Sequence, residues 1–280
     1  MHRDDWESTF RNQDIILSAL KNSLDSSIFL AGGTGLHRHV LRVPYRHSED
    51  LDFFFSTLVL DKEINEVTNE IKQIMTTTLG ATLINEKKEK QIRRLFYSFE
   101  DNEEIVKVEI LNFTCARLKD FSYLKSDIFR TENLYNLLLY KFKALCDRPD
   151  TIKDLFDIYF IMREMDKLLV SDIIIDINIK FKEAIGIEYQ KKHIISSLEH
   201  NLKWDIEIGD HIEHLNDLKL EVEYFKQELK EAFISKDFLD FSYKSRIGKK
   251  ALELGVSVED YIEYIEENKF LENEYKVLYL

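Results

Sequence analysis

Phe29–Phe55 reads FLAGGTGLHRHVLRVPYRHSEDLDFFF, and two short structural units are spelled out inside it. Ile28 to Ala31 is an apolar run suited to a buried strand, and Gly32-Gly33-Thr34-Gly35 ends it where missing side chains let another group approach the backbone. The pattern then turns helical from about Leu36 to Leu41 and stops at Pro44. The glycines therefore lie at a helix N-terminus, whose free N–H groups and dipole favour an anion such as phosphate.

The second unit is Asp50-Leu51-Asp52 followed by three phenylalanines, an aromatic-rich strand of alternating facing. Asp50 and Asp52 leave one side of it, while Leu51, Phe53 and Phe55 point the other way into a core. Two carboxylates held side by side repel each other unless a cation lies between them. Hard oxygen donors with partial hydration suit Mg²⁺, and two such ions about 4 Å apart would activate an attacking oxygen and steady a leaving pyrophosphate. A Gly-Gly turn by itself is usually a loop, and an Asp-x-Asp strand by itself is usually a solvated edge. Together, within this spacing, they point to nucleotide transfer.

The residues Gly32, Gly33, Thr34 and Leu36, followed by Arg46, Ser48, Asp50, Leu51, Asp52 and Phe53, form a pattern GGT-x-L … R-x-S-x-D-L-D-F. This pattern resembles the AbiEii/AbiGii nucleotidyltransferase toxins of the DNA polymerase beta-like nucleotidyltransferase superfamily. The resemblance implies an α+β fold, with an N-terminal mixed-sheet catalytic domain followed by a C-terminal helical domain. It also implies Mg²⁺-dependent transfer of a nucleotide from an NTP, and membership of a type IV toxin–antitoxin or abortive-infection pair with a cognate antitoxin protein and a role in phage defence. A third carboxylate is then expected on a later strand. Glu109 is the candidate, because Val106, Val108 and Ile110 alternate with Lys107, Glu109 and Leu111. The family more often has Asp there.

A second cluster falls on helices. Leu134, Leu137, Leu138, Phe142 and Leu145 recur at three- and four-residue spacing and describe one buried helix face, with Lys141 in its middle. A buried lysine needs a partner, which a triphosphate or a carboxylate would supply; otherwise its ammonium snorkels to water. Asp150 or Thr151 can cap the next helix, which presents Lys153, Asp154 and Asp157 beside Ile152, Leu155, Ile158 and Met162. Asp154 and Asp157, at i, i+3, share a face and can accept from Lys141 or Arg148. These two segments resemble the family's K-L-x-A-L and R-x-x-K/R-D-x-x-D-L motifs, although Arg148 lies further ahead of Lys153 than that spacing. On this reading Asp50, Asp52 and Glu109 hold metal, and Gly32, Gly33, Thr34, Arg46, Ser48, Lys153 and Asp157 bind the nucleotide. Lys141 neutralises developing charge, and Asp154 positions the acceptor or Lys141.

The chain has 280 residues, 44% hydrophobic and 12% aromatic, which is enough for two domains with their own cores. Their expected extents are 1–128 for the catalytic domain and 129–280 for a helical domain completing the nucleotide site. Strands are expected near 81–86, 91–99 and 105–113, and helices near 14–24, 60–79, 134–146, 152–165, 169–184, 212–231 and 258–267. The two cysteines, Cys115 and Cys146, and the lack of a signal peptide or membrane-spanning run favour a cytoplasmic protein with reduced thiols. Of 39 basic and 52 acidic residues, 18 and 21 fall within 1–130, so the net charge of −13 comes mostly from the second half. That excludes a general nucleic-acid binder but leaves room for an NTP, or for a tRNA 3′ end held by a local patch. Patch candidates are Arg38, Arg42 and Arg46, with Lys87, Lys88, Lys90, Arg93 and Arg94. His37, His39 and His47 read as surface histidines rather than metal ligands. A protein hydroxyl is the alternative acceptor, and a nucleotide sensor without turnover is the alternative function.

Overall fold

The apolar run Ile28–Ala31 forms a strand, β1, and Asp50–Phe55 forms β2, antiparallel beside it with Ala31 opposite Asp52. These elements are seen in a computed structural model. It describes residues 3–41, 45–99, 102–113, 128–165, 167–200, 203–204, 206, 215–241, 248–249, 251–252, 254–257 and 260–261. Helix α1 (Arg3–Leu20) precedes β1, beginning well before the expected start at Asp14. After β1 the chain enters α2 (Gly32–Thr34), which widens at once into a π-helical turn, Gly35–Val40, closed by the Leu41 N–H on the Leu36 carbonyl at 2.8 Å. The helix thus starts on the glycines themselves, and such wide turns recur at functional sites.

Helix α3 (Asp61–Gln73) follows β2, and then β3 (Thr82–Lys88), β4 (Ile92–Phe99) and β5 (Asn102–Leu111) complete a sheet of order β1-β2-β5-β4-β3. β2 and β5 run parallel and the other described pairs run antiparallel. One sheet face gives Leu51, Phe53, Phe55, Leu95, Tyr97, Val106, Val108 and Ile110 to a core closed by Ile16, Leu17 and Leu20 of α1 and Ile64 and Ile71 of α3. The alternation expected for β2 and β5 is what buries this set.

Two compact units result, one of residues 1–137 with 178–188, the other of 138–177 with 189–280. The division expected at residue 128 is displaced, and backbone pairing shows why. Leu30 N–H donates to the Arg130 carbonyl and Glu132 N–H to the Leu30 carbonyl, both at 2.8 Å, so 129–132 lies along β1. The end of helix α6 (Val170–Ile185) also returns to this unit, with Phe181 against Phe113 and the Gln91 amide donating to the Ala184 carbonyl at 2.7 Å.

The second unit is helical. It contains most of α4 (Leu134–Asp147), then α5 (Ile152–Glu164), α7 (Lys191–Ser197) and α8 (Leu215–Ser235), with a two-residue strand pair, β6 (Leu168–Leu169) on β7 (Phe238–Leu239). Aromatic pairs join the helices: Phe142 with Phe233, Tyr159 with Phe225, and Phe225 with Phe241. α4 differs from its expected single apolar face, since Tyr135, Leu139 and Tyr140 are buried as well. Of the last expected helices, 212–231 is seen from Leu215 onward, and most of 258–267 lies outside the described residues. No described helix is long and apolar enough to cross a membrane.

Phe53 is 0% exposed and its ring stands 5.3 Å from that of Phe129. Phe53→Ala is expected to cost about 3–5 kcal/mol of unfolding free energy in urea titrations. A loss under about 1 kcal/mol would show that this layer does not carry the sheet.

Candidate active site

The register of β2 on β5 sets Asp50 opposite Lys107 and Asp52 opposite Glu109, so all four side chains leave one face of the sheet. One oxygen each of Asp50, Asp52 and Glu109 lies within 4.8 Å of the others. The three acids named from sequence are therefore brought together. Burial pushes the Asp52 carboxyl up to about 7, helped by the charges of Asp50 and Glu109. Burial also works to raise Glu109, but Lys107 and Arg94 outweigh it and hold Glu109 below the ordinary carboxylate range. Lys107 lies 2.6 Å from Asp50 and 3.6 Å from Glu109, and Arg94 Nε donates to Glu109 Oε1 at 2.5 Å. Neither cation was singled out in sequence as a partner of the triad. The signal was available for Lys107, which shares strand parity with Glu109, but the pairing of Arg94 needs the β4–β5 register.

The glycine turn is packed on this cluster. Gly32 has φ +64°, and a Cβ there would stand 1.8 Å from Asp52 Oδ2. Only glycine lets the backbone lie this close to the carboxylate. A Cβ on Gly33 would stand 2.5 Å from Ser48 Oγ and 2.6 Å from Arg46 Nη2, so both polar groups press on the turn. Arg46 is buried and donates through Nη1 to the His47 carbonyl. Thr34 has a different place from the one expected. It is 0% exposed and its hydroxyl donates to the Asp50 carbonyl at 2.6 Å, stitching α2 to the start of β2, while Gln13 donates to the Ser48 carbonyl at 2.8 Å.

The expected basic patch is largely consumed by ion pairs. Arg38 donates to both Asp14 oxygens and lies over the Phe10 ring, Arg93 is buried against Asp61 and Asn65, and Arg94 serves Glu109 and Glu89. Lys87, Lys88 and Lys90 remain exposed, and Arg42 lies outside the described residues. The surface reading of His37, His39 and His47 is also corrected. All three are buried, with His37 edge-on to Tyr45 and His47 beside Phe10. Burial, then Arg38, lowers the His39 pKa to about 4, so it is neutral near pH 7.

The helical cluster forms within the second unit. Lys141 Nζ lies 2.6 Å from Asp157 and 3.5 Å from Asp154, both carboxylates being 0% exposed, and Arg148 grips Asp154 through two hydrogen bonds of 2.6 and 2.9 Å. Of the partners open to Lys141 in sequence, these carboxylates are the ones observed. Arg148 reaches Asp154 despite its irregular spacing because the turn at 148–151 folds back, with Thr151 capping α5. Lys153 is exposed in the first turn of that helix. Burial raises the Cys146 thiol to about 11, which suits a packed side chain and not a nucleophile, and Cys115 lies outside the described residues.

Two stability contrasts follow. Lys141→Met leaves buried carboxylates short of a cation and should cost about 3–5 kcal/mol, whereas Lys143→Met, which loses a partly exposed pair with Asp147, should cost under about 1 kcal/mol. Equal melting points for the two variants would contradict the buried network. Gly80 has φ +65° with nothing within 4 Å of an added Cβ, so Gly80→Ala should cost only about 1 kcal/mol, while Gly32→Ala should cost clearly more by displacing Asp52. Similar losses at both glycines would remove the close packing of the turn on Asp52.

Comparison with known proteins bears on what this arrangement is for. No curated protein matches the chain closely enough to lend it a function. Among solved structures, a protein from H. pylori assigned as a nucleotidyltransferase has 18% identity and a TM-score of 0.46, covering 83% of this chain and 97% of its own. JHP933 from Helicobacter pylori has 18% identity and a TM-score of 0.43, covering 83% and 93%. The family model for the nucleotidyl transferase AbiEii toxin, type IV toxin–antitoxin system, matches residues 15–242 and so takes in the glycine turn, the carboxylate triad and the helical cluster together. On that match the chain belongs to the AbiEii toxin family and is a nucleotidyltransferase.

Proposed function

We propose that this chain is a Mg²⁺-dependent toxin that moves a nucleotide from an NTP to an RNA acceptor, with a tRNA 3′ end as the first substrate to test. The observation that carries the reading is the carboxylate triad beside a glycine turn, with Asp52 pushed up to about 7 by burial and by its two acidic neighbours. A centre built this way favours a cation, and its oxygen donors suit a hard one. Asp50, Asp52 and Glu109 would hold Mg²⁺, which when bound would draw charge from the triphosphate and acidify the acceptor hydroxyl.

The chain's own groups bind and orient. Gly32 and Gly33 present backbone at the start of α2, and Ser48 and Arg46 stand against Gly33, so we assign these four to the triphosphate. Thr34 supports them indirectly by fixing the start of β2. Lys141, Lys153, Asp154 and Asp157 are assigned to the reaction on the family motif. Their observed packing adds a condition: Lys141→Met should lose more transfer than its lowered stability accounts for. The family's type IV toxin–antitoxin character supports a cognate antitoxin protein, and we propose a place in phage defence with it.

A second acceptor is favoured by one observation. Arg38, Arg93 and Arg94 are spent on internal ion pairs in a chain of net charge −13, which suits a protein hydroxyl better than an extended RNA. Incubation with Mg²⁺ and each labelled NTP, with total tRNA or with a protein lysate, separates the two by where the label goes. Absence of pyrophosphate release with either acceptor and every NTP would overturn the reading. Asp52→Asn should lower transfer by about a thousandfold and abolish the Mg²⁺-dependent rise in melting temperature, while the metal-free protein melts no lower than wild type. Full transfer by this variant, with its Mg²⁺ dependence unchanged, would remove β2 from the metal site.

A further inference from the structure

Lys107 sits two residues before Glu109 on β5 and opposite Asp50 in the parallel ladder, which puts its side chain on the face that carries the three carboxylates. Its ammonium is 2.6 Å from Asp50 Oδ2 and 3.6 Å from Glu109 Oε1, and Arg94 reaches that same Glu109 oxygen at 2.5 Å. One oxygen of Asp50 and one of Glu109 are therefore already matched to fixed positive charge. Among the described residues, Asp52 is the acid of the triad without an ion pair to either cation.

This arrangement bears on how many ions the centre can hold. Carboxylates that serve two divalent ions must offer oxygen to both, and here part of that capacity is taken by groups that cannot diffuse away. Lys107 also sets a fixed positive charge beside Asp50 and Glu109, which repels a divalent ion entering at that same place. Lys107 is also held in place, because its backbone is part of the ladder and its side chain is only 27% exposed.

We propose that Lys107 is a tethered cation of this active site, standing where a second divalent ion would otherwise be held, so that the centre works with one ion and one ammonium. The proposal rests on the nucleotidyltransferase reading of the triad. If Lys107 were an ordinary surface partner of Asp50, it would have little influence on ion count.

Counting ions tests this without using activity. The protein is titrated with Mn²⁺ in the presence of one equivalent of each non-hydrolysable NTP analogue in turn, and the electron paramagnetic resonance signal of free aquo Mn²⁺, compared with a protein-free titration of the same analogue, gives the number bound in the ternary complex, the nucleotide-chelated ion included. Wild type and Lys107→Arg, which keeps the charge, should retain one ion in the ternary complex, and Lys107→Gln should retain two. Two ions in wild type, or one in a folded Lys107→Gln, would overturn the proposal. The wild-type count alone can do so even if the glutamine variant fails to fold. A wild type that leaves the Mn²⁺ affinity of every analogue unchanged would instead overturn the metal reading beneath it.

Discussion

The parallel pairing of β2 with β5 is the constraint on which the catalytic unit depends. It brings Asp52 directly opposite Glu109, with Asp50 two residues away on the same face. Like charges facing each other across a ladder are unfavourable, and burial makes them more so. The strands hold this register because the opposite face of the same residues is a continuous apolar layer of Leu51, Phe53, Val108 and Ile110, each 0% exposed. A slip of one residue would send carboxylates into that layer and phenylalanines into solvent, so the core enforces the repulsion on the other side. Lys107 and Arg94 relieve part of it, and what remains is a cluster of acids that could hold a metal ion.

The two charged clusters of the chain illustrate opposite uses of burial. In the second unit, Asp154 and Asp157 are fully buried but each is met by a cation, Lys141 for both and Arg148 for Asp154. Buried networks of this kind cost more to break than they contribute over an apolar alternative. In the first unit the triad is only partly matched, and the raised Asp52 carboxyl records the imbalance. The glycine turn sharpens the contrast. At Gly32 the backbone has taken the space next to Asp52 that a side chain would fill.

Much of the candidate site was legible in the sequence because strand parity is a local property. Asp50 and Asp52 against Leu51, Phe53 and Phe55, and Glu109 against Val108 and Ile110, assign faces from a period of two, and the structure keeps every one of those assignments. The helical cluster was readable for the same reason, since Asp154 and Asp157 at i, i+3 must share a side of α5. Other readings depended on neighbours distant in sequence. Thr34 and Arg38 carried the composition of ligand-binding residues, yet one is spent on the Asp50 carbonyl and the other on Asp14. His37, His39 and His47 looked like surface groups until the wide turn after Gly35 folded them inward.

The sequence by itself determined which residues share a face, where the backbone must lack a side chain, and that the chain has a sheet-bearing part followed by a helical one, because these follow from local periodicity and from glycine. Only the tertiary structure decided the strand order, the division between the units, and which cation meets which acid. Residues 129–132 lie along β1, and the end of α6 returns to the first unit, through hydrogen bonds that connect positions about a hundred residues apart in the chain. The same is true of Arg94 beside Glu109, and of Lys107 beside Asp50, where the charges that set the chemistry of the triad arrive by pairing between strands. Long-range pairing of this kind leaves no periodic trace, because its energy depends on what the rest of the fold places opposite each residue.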